Sequence, residues 1–439
     1  MAFFGPISPP LLDEATVPLI RRAWDRAVAV SRFAAVQAAV QLVGFVSGIL
    51  IIRHLDQRDY AYFTIANTMQ GTLNLLADMG ISIGVVSIGG RVWQDRRRFG
   101  ELINTALAIR RKLGVAAVIA VTPILYYLLW KNGASTAYAT LLIALVILGL
   151  LAQLALGVLG VVPRLRSDLR RIQLIDVVGA IARLGALIAL LFLLLNAAVA
   201  VAVGSATLLL QLVMLRRYVN AVIDTSAPQN HADRTAMSGF IRNQAANAIF
   251  YCLQGQITIF LISIFAHRAA AVAEVGALGR LAMVFAVLTN LLMNIFAPAF
   301  ARCHSPRRLR WQFAATVGAV AAFCALIIAA AAIFPQEFLF VLGGKYSHLD
   351  RELLLMIGAA VVNALTATLW SLNTAKAWVT GAWLYIPLTI VTQLCLIPFV
   401  DFSSVRGVLI FNLISAVPNM LLNAALSFRG FQMLRRPTA

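Results

Sequence analysis

Twelve runs of predominantly apolar residues follow one another along this chain, each of about 20 residues and long enough to cross a hydrocarbon core of ~30 Å. In lipid a spanning segment must satisfy its own backbone N–H and C=O groups, so runs of this length are expected to fold as helices. They fall at 33–52, 60–90, 113–130, 137–162, 172–195, 197–216, 241–266, 271–300, 312–334, 352–375, 378–400 and 405–428. Hydrophobic residues make up 61% of the sequence and charged residues 12%, against about a quarter charged in an ordinary soluble domain. Once the runs are set aside, no stretch long enough for a separate soluble domain remains. The expected class is an all-α integral membrane protein of about twelve transmembrane helices, and not an enzyme.

The remaining features agree with that class. Residues 1–32 hold Asp13, Glu14, Pro18 and four arginines with no uninterrupted apolar stretch, unlike a cleaved signal peptide. Leu12, Leu19, Ile20 and Trp24 set against Arg21, Arg22 and Arg26 read as an interfacial amphipathic segment. Cys252, Cys303, Cys324 and Cys395 are widely spaced, show no metal or disulfide pattern, and read as buried small apolar residues. The five histidines are scattered, and no metal or cofactor is expected. The net charge of +19 does not signal nucleic acid, because the basic residues sit between apolar runs and not on one face of a soluble module. Tyr126, Tyr127, Trp130, Trp378 and Trp383 suit membrane interfaces.

Orientation follows from the same charges. With a cytoplasmic N-terminus, 27 basic residues fall on the cytoplasmic side and 7 opposite, leaving Arg183 and Arg280 inside runs. Both termini are therefore expected in the cytoplasm of a bacterial inner membrane. The one long polar stretch, Tyr218 to Gly239, divides the runs into six and six. At an offset of 216, Ala61, Ala66, Asn74, Leu75 and Leu76 fall on Ala277, Ala282, Asn290, Leu291 and Leu292, and Asp78 falls on Asn294. Two parallel-repeat six-helix bundles around a central cavity are expected. The boundaries are an N-terminal segment 1–32, an N-terminal lobe 33–217, a cytoplasmic linker 218–240, a C-terminal lobe 241–428 and a tail 429–439.

Ile52 to Phe63 (IRHLDQRDYAYF) and Leu76-Ala77-Asp78-Met79-Gly80 resemble the R-x-L-x-x-x-[DE]-Y-G-x-[YF] opening and later DxG of polysaccharide and O-antigen flippases. Those proteins belong to the multidrug/oligosaccharidyl-lipid/polysaccharide exporter superfamily. Glu274 to Leu278 repeats the opening weakly, and Phe338 to Tyr346 (FLFVLGGKY) resembles an element after their ninth helix. Ala61 stands where the family has glycine, and the loop 91–112 is unusually basic. The resemblance implies a V-shaped fold whose helices 1, 2, 7 and 8 line the cavity. It also implies a lipid-linked oligosaccharide substrate, moved between leaflets by alternating access, with membrane lipids, a polysaccharide polymerase and glycosyltransferases as partners.

Polar residues at helical spacing are the candidate site. Asn67, Gln70, Asn74, Asp78 and Ser82 form one face of the second run, and Gln244, Asn247, Tyr251, Gln254 and Thr258 one face of the seventh. The first run adds Gln37 and Gln41, the eighth Arg280, Asn290 and Asn294. Such faces turn away from lipid, either to a wet lumen or to neighbouring helices as hydrogen-bonding glue. Helices 10 (Asn363, Thr366, Trp370, Asn373) and 12 (Asn412, Ser415, Asn419, Asn423) carry similar faces. Arg280 and Arg53 present guanidinium forks suited to the phosphates of a pyrophosphate-linked lipid. The competing readings are an ion pair of Arg280 with Glu274 or Asp78, and an interfacial Arg53 beside Asp56. Arg183 and Asp176, two turns apart, read as a structural pair, and Asp78 is a weaker candidate for a coupling H+ or Na+.

Two rival functions fit part of this pattern. A cation-coupled drug exporter, of the same superfamily or of the major facilitator type, would share the helices. Gly90 to Arg98 does not match the major facilitator loop spacing. A membrane polysaccharide polymerase or ligase would need a long catalytic loop, whereas Pro335 to Arg351 is the longest non-cytoplasmic one expected.

Overall fold

The computed structural model describes residues 19–166, 168–266, 269–282, 285, 300, 303, 305–376 and 378–433, and among these there is no strand. The helices are α1 (Leu19–His54), α2 (Gln57–Asp78), α3 (Ile81–Val92), α4 (Arg96–Lys131), α5 (Thr136–Leu159), the short α6 (Val161–Leu165), α7 (Leu169–Leu194) and α8 (Ala197–Val222). After them come α9 (His231–Phe265), α10 (Ala269–Leu281), α11 (Pro306–Ile333), the short α12 (Pro335–Leu342), α13 (Asp350–Ala375), α14 (Tyr385–Leu396) and α15 (Val405–Met433). Nine helical segments among the described residues are long and apolar enough to cross a membrane, and two bent pairs bring the number to eleven. The twelfth expected span, 271–300, begins in α10 and continues outside the described residues.

Local chemistry explains where the helices begin. Asp56, Asp95, Ser135, Asp168, Asn196 and Asn230 each accept a backbone N–H at the N-cap of α2, α4, α5, α7, α8 and α9. Each short polar side chain satisfies a donor that the first turn leaves open. The expected single helix over 60–90 is in fact two, α2 and α3, bent by 46°. Met79 and Gly80 carry φ of 34° and 91° there. Only glycine adopts that second value without strain, so the chain turns at the DxG element. Several helices also run further than apolar periodicity indicates. α4 begins at Arg96 and not near 113, and the stretch between α8 and α9 shortens to residues 223–230. The expected interfacial segment is split: residues 1–18 lie outside the described residues, and Leu19 onward begins α1 itself.

Packing divides the bundle and also joins it. In the N-terminal lobe α5 packs on α8, α2 on α4 and α5, and α1 on α7; in the C-terminal lobe α13 packs on α15 and α11. At the end carrying residues 53–57, one continuous core crosses both lobes, including Ile51, Tyr60, Phe63, Val272, Leu278 and Tyr346. The repeat-related Ala61 and Ala277 are both fully buried within it. At the linker end the cores are separate among the described residues. One gathers Val85, Phe99, Leu102, Val162 and Leu215; the other gathers Phe300, Cys303, Leu309 and Leu372. The lobes thus share a core at one end and part at the other, as in a V. Met237 of α9 belongs to the N-terminal core, so the first half of α9 lies with α2, α3 and α4 although its sequence opens the second half.

Large apolar side chains on the periphery, such as Leu42, Ile119, Leu326 and Phe399, are exposed. A soluble protein would bury such a surface; a bilayer covers it. The four cysteines are free, three buried as expected, whereas Cys395 is exposed on the apolar α14. Trp130 and Trp383 are exposed as interfacial residues should be. Trp378 is not: its ring packs edge-on against Phe300 and Phe431.

Candidate functional site

The polar face of α2 turns into the N-terminal lobe, not into the space between lobes. Asn67 and Gln70 line a cavity of about 420 Å³ enclosed by α1, α2, α5, α7 and α8. Asn74 lines an adjoining cavity of about 320 Å³, and the two share Gln153, Asp176 and Gln211. Small residues make the room: a Cβ on Gly149 would lie 2.6 Å from Gln70 Nε2, and one on Gly179 would collide with Gln211. A helix can carry amides toward a neighbour only where that neighbour is trimmed to its backbone.

Arg110 is the residue that sequence reasoning missed. It was counted with the basic loop before α4, yet it lies inside the helix and is 3% exposed. Its Nη1 is 3.2 Å from Asp78 Oδ1, and its Nη2 donates to Asn74 Oδ1 at 3.1 Å. Gly157 leaves the space that the guanidinium fills. The signal in the sequence was slight: a basic cluster, Arg110-Arg111-Lys112, running directly into an apolar run. Asp78, once a candidate ion site, is therefore engaged, and it also accepts a hydrogen bond from Ser82 at 2.6 Å.

Arg183 lines the larger cavity. Among the described residues no ion pair links it to Asp176, which instead accepts from Gln37 at 3.5 Å. The pair expected within or between helices is not formed among the described residues; along α7 itself two helical turns separate the groups by about 10 Å. The buried Nε of Arg183 has no hydrogen-bond partner among the described residues. A second arginine, Arg280, lies close enough to repel it.

Arg280, in the last turn of α10, lies at the seam between lobes. Its guanidinium sits 5.7 Å from the Phe63 ring centroid and donates to the Tyr60 hydroxyl. Its side chain passes within 3.6 Å of where a Cβ on Gly48 of α1 would stand. The two carboxylates weighed as its partners are occupied elsewhere, Asp78 with Arg110 and Glu274 with His348 at 3.4 Å. Arg53 does not reach the lumen. It donates to the Val341 and Phe340 carbonyls at 3.1 and 2.5 Å, across the seam at the shared-core end. Lys345 answers by donating to the Leu55 carbonyl at 2.5 Å. Asp56, weighed as the partner of Arg53, caps α2.

The remaining candidates separate. Gln254 exchanges two hydrogen bonds with Gln393 of α14, at 2.9 and 2.7 Å, which is interhelical glue. Gln41 is half-buried on α1, on a turn between cavity-lining Val40 and Gly44. Asn290 and Asn294, and the side chains of Gln244 and Asn247, lie outside the described residues. Asn373 is also glue, donating to the Asn423 carbonyl at 2.9 Å and accepting from Ser427 at 2.7 Å. At the linker end Arg98 grips Asp233 with two hydrogen bonds of 2.6 Å each, and Asn104 donates to the carbonyls of Thr225 and Ala227. Asp224 in that linker is held below the usual carboxylate range, because the hydroxyl and N–H of Ser226 bind its charged form.

No family model matches the sequence, and no curated protein matches it. Solved structures do. The chain is similar to an inward-facing multidrug resistance MATE family transporter of the MOP superfamily, at 14% identity and a TM-score of 0.64, covering 92% of this chain and 100% of that one. It is similar to the eukaryotic MATE transporter AtDTX14 at 14% identity and a TM-score of 0.64, covering 95% and 98%. It is also similar to the lipid II flippase MurJ in an inward closed conformation, at 9% identity and a TM-score of 0.71, covering 91% and 89%. The chain therefore has the multi-pass, all-helical fold found in the MATE transporters and in MurJ.

Proposed function

We propose that the protein is a flippase for a lipid-linked oligosaccharide, acting by alternating access in cell-surface polysaccharide assembly. The observation that carries this reading is the charge of the interior. Arg183, whose buried Nε has no hydrogen-bond partner among the described residues, faces a cavity near Arg280, while Asp78 is paired with Arg110 and Asp176 accepts from Gln37. Away from Asp176, a monovalent organic cation about 4 Å from such a guanidinium is repelled by roughly 4 kcal/mol at an effective dielectric of ~20. A pyrophosphate is drawn in by the same field. The V opening toward the linker end, and the likeness to a lipid II flippase, support the reading further. Arg280 then anchors phosphate, Arg183 extends the basic field, and Asn67, Gln70 and Asn74 border the path. Cytoplasmic termini and linker, an inner-membrane location and polymerase and glycosyltransferase partners belong to the same proposal. A reporter fused after Thr225 that is active only outside the cytoplasm would overturn the orientation.

The test is a substitution series at Arg280, read as polysaccharide export with membrane abundance measured in parallel. Lysine keeps the charge and loses the fork, and leaves partial export. Alanine abolishes most of it, and glutamate is worst. Wild-type export from a well-expressed Arg280→Ala protein would end the anchor role. A cation-coupled exporter is the second reading, favoured by the MATE likeness and by Asp176 in the cavity wall. Drug resistance conferred on expression and lost in Asp176→Asn, with no effect on polysaccharide, would establish it instead.

A further inference from the structure

A separate cavity of about 220 Å³ lies inside the C-terminal lobe, between α9, α13, α14 and α15. Among the described residues no charged side chain lines it. α13 presents Asn363, Thr366 and Trp370 to it at i, i+3 and i+7, one helical face, and α15 presents Asn419 and Asn423. Tyr251 and Tyr385 stack on each other at 5.3 Å and form an aromatic wall.

Hydrogen-bond bookkeeping shows what the cavity asks for. Asn363 Nδ2 donates to the Ala359 carbonyl at 2.9 Å, so its Oδ1 remains as an acceptor. Asn419 Oδ1 receives Asn423 Nδ2 at 2.9 Å, so the Asn419 amide nitrogen remains as a donor. A free acceptor and a free donor thus stand beside Trp370, which is still 36% exposed. An acyl chain would leave both amides unsatisfied, at a cost of about 1–3 kcal/mol each. An inorganic cation finds no carboxylate and an anion finds no positive charge. Hydroxyl groups both donate and accept, and the C–H face of a pyranose covers an aromatic ring. The volume is below the ~300 Å³ at which drug-sized pockets begin, and suits a single ring.

We propose that this cavity seats one neutral sugar ring of the transported oligosaccharide, with Trp370 as the stacking platform and Asn363 and Asn419 as hydroxyl partners. The inference rests on the flippase reading and adds a sugar-recognition subsite remote from the arginines. Purified full-length protein in nanodiscs, without alkyl-glycoside detergents that would compete, is titrated with methyl glycosides of a neutral hexose and an N-acetylhexosamine. Saturation-transfer difference NMR should show saturable binding. Trp370→Ala and Asn363→Leu should each weaken it about tenfold, from loss of stacking and of a hydrogen bond. Trp370→Phe should retain most of it, and Trp383→Ala, exposed and outside the cavity, should retain all. Absence of saturable binding, or undiminished binding by a well-folded Trp370→Ala protein, overturns the subsite. So does a methyl uronide that binds as well as the neutral sugars. Arg280→Ala should leave glycoside binding intact. Normal glycoside binding with no transport of any lipid-linked oligosaccharide would sink the flippase reading and leave the sugar site standing.

Discussion

In the N-terminal lobe Arg110, Arg183 and Asp176 line the cavities and Asp78 pairs with Arg110, whereas the C-terminal cavity beside Trp370 is lined, among the described residues, by amides, a threonine, aromatic rings and aliphatic side chains without a charge. Both interiors arise from polar residues spaced three and four apart on otherwise apolar helices. The difference teaches that spacing places residues on a face but does not say what that face meets. On α2 the stripe meets a buried arginine and glycines trimmed to admit it. On α9 Gln254, from a similar stripe, meets Gln393 and closes into a reciprocal amide pair.

The contrast can be broken most forcefully at Asp78. Asp78→Ala leaves Arg110 as a buried, unpaired cation and should cost about 3–5 kcal/mol, read as a fall in melting temperature and membrane abundance. Replacing both partners with apolar residues of similar volume should recover most of that loss. If the double variant is no better than the single, Asp78 and Arg110 do not act as a pair. Gly157→Ala is next, since the added methyl drives into the Arg110 guanidinium; a cost of about 1–3 kcal/mol is expected. In the C-terminal lobe Gln254→Leu should cost only about 0.6 kcal/mol, at most ~1.7, the scale of amide glue in membranes. The Gln254→Leu, Gln393→Leu double variant should be near neutral. A loss at Gln254 as large as at Asp78 would erase the distinction between the lobes. The mildest probe is cysteine labelling in a cysteine-free background. Gln70→Cys and Asn74→Cys should react with a membrane-impermeant thiol reagent, while Gln254→Cys and lipid-facing Leu75→Cys should not. Equal labelling at Gln254 would return the α9 face to the lumen.

Much of the architecture was legible beforehand. The helices of both lobes follow from local rules, since in lipid each span must close its own hydrogen bonds. The turn at Met79–Gly80 was visible as a motif but not as a bend, because the apolar pattern continues through it. Arg53 was readable as a residue at a helix end; that it clasps carbonyls of residues 340 and 341 was not, since those groups are nearly 290 positions away. The sequence places residues 231–240 in the linker, whereas in the structure they open α9. They pack with the N-terminal lobe through Met237 and the Arg98–Asp233 grip.

The sequence by itself determined that this is a polytopic helical membrane protein, because length and apolarity of a span decide that without reference to any neighbour. It also determined which residues share a helical face, because that depends only on 3.6 residues per turn. Only the tertiary structure decided which face becomes lumen, which becomes glue and which buried charge keeps a partner. Those outcomes depend on residues such as Arg110, Gly157 and Gln393, brought together from distant parts of the chain. In a medium where apolar surface gains nothing by leaving lipid, helix placement rests on close packing and on such polar partners, which no single segment encodes.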